Sequence, residues 1–291
     1  MAVLAVQHIR KMRGGAQGHL MLGADGNAYV VKFQNNPQHL RVLVNELMAT
    51  RLAAAAGLTV APSDVIEVTE WLVENTSELV LDLGPRQERC KAGLCFGSQL
   101  VGGLMPGHVA DYLPEEQLAA VKNVEEFAGI LALDKWTCNA NGRQAVYAKK
   151  TREKRYTATF IDYGYCFNAG EWVFRDSPLR GVFQRNVVYR EVRGWESFDP
   201  WLSRIEQLSE QAIWEIAEAV PPQWYHGDIT AMEALVEQLV RRRSRVRELI
   251  EGFRESSRAP FPNWGKSAKI AVAAGFEDPA WADQIKDGPV M

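Results

Sequence analysis

Leu133-Asp134-Lys135-Trp136-Thr137-Cys138-Asn139, followed after a charged excursion by Phe160-Ile161-Asp162-Tyr163-Gly164, is the stretch around which the chain is organised. It holds an Asp, an Asn five residues on, and a second Asp at the end of an apolar strand. Phosphoryl transfer needs this set: one group to orient the attacking hydroxyl and two hard oxygen ligands for Mg²⁺. The sequence therefore predicts an ATP-dependent kinase, with Asp134 facing the acceptor hydroxyl and Asn139 and Asp162 holding the metal.

Immediately outward, Asn123 reads as an N-cap with Glu126 three residues on. Val124, Phe127, Ile130 and Leu131 form the apolar face of a helix that delivers Asp134 to the start of a loop. Asn141-Gly142 marks a turn, and residues 144–148 and 156–161 read as strands joined by the charged run 149–155. That hairpin carries Asp162 back toward Asn139.

Toward the N-terminus, Gly14, Gly15, Ala16, Gln17 and Gly18 form a glycine-rich turn before a hairpin centred on Asp25-Gly26. Without Cβ atoms, such a turn brings backbone N–H groups against phosphate oxygens. It is neither a Walker A sequence nor a Rossmann fingerprint. Lys32 follows inside an apolar strand, 29–33, where it can reach nucleotide phosphates. Residues 38–56 read as an amphipathic helix with Leu40, Leu43, Val44, Leu47 and Leu52 on its stripe. Glu46 lies roughly 120° from the centre of that stripe, at its border, placed to pair with Lys32.

Strands are expected at 65–68, 70–73, 79–81 and 94–99, after which Leu100-Val101-Gly102-Gly103 breaks the pattern. The expected fold is α+β and two-lobed. Residues 1–102 form a β-rich nucleotide-binding lobe with one long helix, and 103–291 a mainly helical catalytic and substrate lobe. Gln99 and Leu100 are assigned to the adenine by position, since a crossing segment binds it through the backbone.

In the C-terminal part, helices are expected from Asp199-Pro200, from Ser209 and from Thr230, which forms a capping box with Glu233. His226-Gly227-Asp228 imitates the catalytic loop of another phosphotransferase class, but no Asn stands five residues on and no metal motif follows. The run Arg241-Arg242-Arg243-Ser244-Arg245-Val246-Arg247 falls mostly on the polar face of one amphipathic helix. The tail after Glu255 reads as loosely ordered.

Composition is ordinary for a globular protein, 47% hydrophobic and 24% charged over 291 residues, and the net charge of -3 argues against nucleic acid as a partner. The apolar run from Ala2 to Val6 is too short for a signal peptide and no stretch suits a membrane span, so a cytoplasmic protein is expected. The four cysteines form no CxxC pair and read as buried free thiols.

With these residues assembled, the sequence resembles the HipA-like kinases, whose catalytic domain is related to the phosphatidylinositol 3/4-kinase fold. The resemblance rests on Gly14 to His19, Lys32, Asn45-Glu46, Asp134 to Asn139 and Ile161 to Gly164. It implies Mg·ATP-dependent phosphorylation of protein Ser or Thr, and often an antitoxin-like partner. The chain departs from the toxin-type pattern in having Trp136 rather than His two residues after Asp134, and no Ser in the loop 13–22. A lipid or small-metabolite kinase, a non-catalytic nucleotide-binding module and an RNA-associated protein using the arginine helix are the alternatives left by the residues themselves.

Overall fold

The computed structural model describes residues 2–104 and 107–266. The N-terminal half runs β1 (Val3–Lys11), β2 (His19–Gly23), β3 (Ala28–Lys32), α1 (Val42–Ala55), β4 (Ser63–Val68), α2 (Glu70–Glu74), β5 (Val80–Leu83), β6 (Arg86–Arg89) and β7 (Gly93–Gln99). The remainder runs β8 (His108–Ala110), α3 (Glu115–Ala119), α4 (Glu126–Trp136), β9 (Gln144–Lys149), β10 (Thr157–Ile161), α5 (Trp201–Gln207), α6 (Glu210–Glu218), α7 (Ile229–Arg242) and α8 (Val246–Arg254).

Five strands close a barrel in the order β1-β2-β3-β7-β4, with β4 returning to β1 in parallel. Closure removes the free edges that an open sheet leaves exposed. Met21, Tyr29, Val31, Phe33, Ile66, Val68 and Cys95 fill its interior. Gly97 in β7 has room for no side chain, because a Cβ there would collide with Ile66 on the neighbouring strand. β5 pairs with β6, and β8 adds a third strand to the β9–β10 hairpin, in which Gln144 pairs with Ile161.

α1 departs from the amphipathic helix expected over 38–56. It begins at Val42, Leu40 is exposed, and all but three residues between Val42 and Ala55 are buried. The barrel strands β4 and β7 cover one side and α6 covers another, so solvent reaches only Arg51, Ala54 and Ala55 toward its C-terminal end. Its polar residues must then be bonded internally; Asn45 and Glu46 are.

Four local expectations are corrected. Residues 70–73 are helical rather than extended, because Thr69 caps α2 by accepting from the Leu72 N–H. Asn123 does not cap α4: its side chain bonds the backbone of Ala158 in both directions, and the Glu126 carboxylate accepts from Thr59 instead. α7 is capped by Asp228, which accepts from the Ala231 N–H at 3.0 Å, rather than by Thr230. The arginine run is not one helix but the end of α7, a 3₁₀ turn and the start of α8. Ser209 caps α6 as expected.

The larger core is centred on α4, whose residues from Phe127 to Trp136 are all buried. Gly129 lets the Trp201 ring of α5 lie directly on the helix, and Trp136 Nε1 donates to the Leu239 carbonyl of α7 at 2.8 Å. The segment after Glu255 returns to pack Phe261 and Trp264 against Trp195, Phe198 and Phe253. The tail expected to be loose is therefore packed as far as Trp264, and its portion from 267 onward lies outside the described residues. All four cysteines are buried free thiols. Among the described residues no helix is long and apolar enough to cross a membrane.

Candidate active site

β3 ends on Lys32, α1 passes beneath it with Glu46, and β10 ends one residue before Asp162. These three elements bring one ammonium against two carboxylates. Lys32 Nζ is ion-paired with Glu46, and it donates to Asp162 Oδ1 at 3.0 Å. Burial alone would lower the lysine, but Glu46 and Asp162 more than reverse this and hold it above the ordinary lysine range. Burial likewise opposes ionisation of Asp162, and the Lys32 ammonium outweighs it, holding the carboxyl below its usual range.

Glu46 does more than pair with Lys32. Its two oxygens also accept the backbone N–H groups of Tyr163 at 3.1 Å and Gly164 at 2.9 Å. Burial and the neighbouring Asp162 charge push this carboxyl up; against them stand the Lys32 ammonium and two N–H donors, and on these contacts we assign it as the carboxylate. Asn45 completes the clamp by donating to the carbonyls of Gly164, Cys166 and Ala169. Gly164 is required at this approach, since a Cβ would stand 2.8 Å from Val42 and 3.1 Å from Glu46. Asp162 itself has φ 62°, a left-handed conformation costly for a non-glycine residue. The clamp from α1 holds it there.

Asp134 lies within the last turn of α4 rather than at the start of a loop, and it is 1% exposed. Arg143 grips it at two points, Nε to Oδ2 at 2.9 Å and Nη2 to Oδ1 at 2.5 Å. The same guanidinium donates to the Ile161 carbonyl at 2.7 Å and stacks 4.2 Å from the Tyr163 ring. Asn139 Nδ2 adds a bond to Asp134 Oδ1 at 2.9 Å, while its Oδ1 accepts from the Asn141 N–H. Gln144 Nε2 donates to Asp162 Oδ2 at 2.7 Å. Asp134, Asn139 and Asp162 thus belong to one network, with Arg143 as its link.

The glycine-rich segment forms the turn between β1 and β2. Gly14 has φ 122°, and a Cβ there would meet no atom within 4 Å. Ala16 accepts through its carbonyl from Asn36, and the Gln17 side chain is taken up by the backbone of Asp82. Gly18 packs against Val30. At the crossing segment, the Gln99 N–H donates to the Pro62 carbonyl and the Leu100 N–H to the Ala28 carbonyl, both at 2.8 Å. Those two N–H groups are committed to the barrel.

Sequence reasoning passed over Arg143 and Gln144, which read as the polar start of a strand, and over Gln38. Gln38 lies between Gly15 and Gly164, and its buried Oε1 has no partner among the described residues. The arginines of the basic run are consumed locally: Arg242 is buried on Asp176, Arg241 pairs with Glu237, Arg245 with Glu248 and Asp176, and Arg247 with Glu206. His226 ends the 3₁₀ turn at Pro222–Tyr225, and Asp228 caps the start of α7.

The sequence matches the family described as HipA-like kinase over residues 5–249. No curated protein matches it. Among solved structures, the Helicobacter pylori proinflammatory kinase CtkA is similar with a TM-score of 0.55 at 14% identity, covering 88% of this chain and 100% of that one. The hydra Fam20 structure with sugar gives 0.51 at 12% identity, covering 89% and 88% respectively. At these identities the likeness is one of fold: a β-rich N-terminal region on a helical C-terminal region.

Proposed function

The chain belongs to the HipA-like kinase family, and on that premise we propose that it transfers the γ-phosphoryl group of Mg·ATP to a Ser or Thr hydroxyl of a protein. The observation that carries the reading is the meeting of Lys32 with Glu46, 14 residues away, and with Asp162, 130 residues away. A buried cation fixed between two carboxylates from distant elements serves no barrel or helix core. It suits a site that receives phosphates beside a metal ion.

The side chains fit the group they would hold. Asp162 and Asn139 offer hard oxygen donors, and the unpartnered Gln38 Oε1 adds a polar atom between the glycine-rich turn and Gly164. Among the described residues no three His, Cys, Asp or Glu side chains converge, so the ion would take its other ligands from phosphate oxygens and water. When bound, Mg·ATP supplies the phosphoryl group and neutralises its developing charge.

The chain's own residues divide the work. Lys32, oriented by Glu46, faces the α/β-phosphates, and the glycine-rich turn offers backbone without Cβ obstruction at Gly14 and Gly15. Asn139 and Asp162 hold the ion. An ionised carboxylate has about four acceptor positions; Arg143 and Asn139 use both on Asp134 Oδ1 and one on Oδ2. The remaining position on Oδ2 is left to orient an acceptor hydroxyl. Arg143 fixes that carboxylate, so catalysis lies in placement more than in strong base chemistry. An antitoxin-like partner extends the same reading and rests on family membership alone.

The test is transfer from γ-³²P-ATP to lysate proteins, soluble metabolites and inositol lipids in parallel. Label recovered as phosphoserine or phosphothreonine supports the reading. Label confined to metabolites or lipids overturns the protein acceptor, and ATP binding with no transfer to any of them makes the chain a binding module.

A further inference from the structure

The segment 175–182, between the Asp162 turn and α5, lies directly over Asp134 and Asn139. Gly181 touches both: a Cβ on it would stand 3.0 Å from Asp134 Cβ, 3.1 Å from the Asn139 carbonyl and 3.2 Å from Asn139 Cβ. The segment is tied down along its length. Lys135 Nζ donates to the carbonyls of Pro178 at 2.8 Å and Arg180 at 2.7 Å. The Arg143 N–H donates to the Val182 carbonyl at 3.1 Å, and Cys138 Sγ approaches the Arg175 carbonyl at 3.4 Å. Asp176 is held by Arg242 and Arg245.

Beneath this strap a small cavity is lined by Asp134, Asn139, Ser177, Arg175, Arg180 and Arg242, among others. A serine of the chain itself therefore lines the same cavity as the residue assigned to orient the acceptor and one assigned to the metal. Ser177 is exposed, and its hydroxyl has no hydrogen-bond partner among the described residues. The lining is also basic on balance, with Lys135, Arg175, Arg180 and Arg242 against two carboxylates, Asp134 and Asp176. That lining matches a phosphate dianion, which guanidinium forks bind by charge-assisted pairs of hydrogen bonds.

We propose that the strap 175–182 is an internal occupant of the acceptor site and that Ser177 is a site of phosphorylation by the chain's own active site. The inference rests on the kinase reading above. In the step, Ser177 Oγ forms a bond to the γ-phosphorus of ATP while the bond from that phosphorus to the β,γ-bridging oxygen breaks. ADP leaves, and the hydroxyl proton passes to solvent. The product phosphate competes with Asp176 for Arg242 and Arg245, which changes the ties that hold the strap on Asp134 and Asn139.

The experiment is incubation of the full chain, dephosphorylated beforehand, with Mg·ATP, followed by intact mass, peptide mapping and ADP release at several protein concentrations. The expected result is one phosphate per chain on Ser177, formed at a rate per molecule independent of protein concentration. It is absent in Ser177→Ala, restored in Ser177→Thr and abolished in Asp162→Asn. ATP turnover with no phosphate on Ser177, or a rate per molecule that rises with protein concentration, overturns the inference and leaves the kinase reading standing. A wild-type chain that neither binds nor turns over ATP overturns both. Ser177→Ala sits on an exposed residue, so its fold is checked by a thermal midpoint matching wild type.

Discussion

Asp134 and Arg143 form a two-point ion pair from which solvent is wholly excluded, both side chains being 0% exposed. The guanidinium has further hydrogen bonds to the carbonyls of Ile161 and Asp162, so the charge on each partner is fully answered. Such a pair adds little net stability over an apolar pair, but breaking one half leaves a buried charge unanswered.

Arg143→Leu is therefore expected to cost about 3–5 kcal/mol in urea unfolding. Adding Asp134→Leu to it should recover a large part, giving a coupling energy of about 1–3 kcal/mol in the double-mutant cycle. Strict additivity of the two substitutions would show that the pair is not the link between α4 and the Asp162 turn.

Lys32→Met removes the ammonium that two carboxylates share, with a loss of phosphoryl transfer and an expected cost of about 3–5 kcal/mol at pH 7. In wild type the Asp162 carboxyl sits below its usual range, so its stabilisation is present above the unfolded value near 4 and fades as pH falls through the folded value. In the variant the facing carboxylates repel, one binds a proton more readily than when unfolded, and stability rises as pH falls. The gap between the two proteins should narrow from pH 7 to pH 4, measured by denaturant midpoints. A gap that is constant or widens contradicts the assignment.

Lys135 is buried with two carbonyls as its hydrogen-bond partners, and burial lowers its pKa to about 8. The folded state thus sheds this proton before the unfolded state does. Stability contributed through Lys135 should rise between about pH 8 and 10.5, by at most about 3 kcal/mol. Lys135→Met should lack that rise in a pH series of thermal midpoints, and a variant with the wild-type slope would show that the ammonium is not penalised.

Gly181→Ala meets two obstacles, a φ of 62° and a Cβ pressed on Asp134 and Asn139. The expected cost is about 1–3 kcal/mol, with faster hydrogen exchange confined to residues 175–182. Unchanged exchange in the strap would show that it yields without lifting.

Much of this arrangement was legible because it is written in spacing. Asp134 and Asn139 are five residues apart on one helix end, and Asn141-Gly142 with alternating β9 and β10 returns Asp162 to them. Lys32 likewise ends a recognisable strand, and Glu46 lies one turn into a recognisable helix. What escaped depended on partners far along the chain. β1 buries Ala5 alone, so it shows no alternation to read. α1 reads as amphipathic because periodicity does not reveal that other elements will cover the side away from its apolar stripe as well. Residues 70–73 are too few to show any period, and Thr69 settled the matter as a cap. Arg143 resembles any charged residue at a strand start; its burial follows from Asp134, and only the folded chain shows the two in contact.

The central claim is that Lys32, Asn139 and Asp162 hold Mg·ATP, and isothermal calorimetry of ATP binding with and without Mg²⁺ tests it most directly. Wild type should bind ATP in a Mg²⁺-dependent manner. Asp162→Asn should lose at least tenfold in affinity, and Asp134→Asn should bind as wild type does yet transfer no phosphate. Absence of ATP binding by the folded wild-type chain, with Mg²⁺ present or not, would contradict the account.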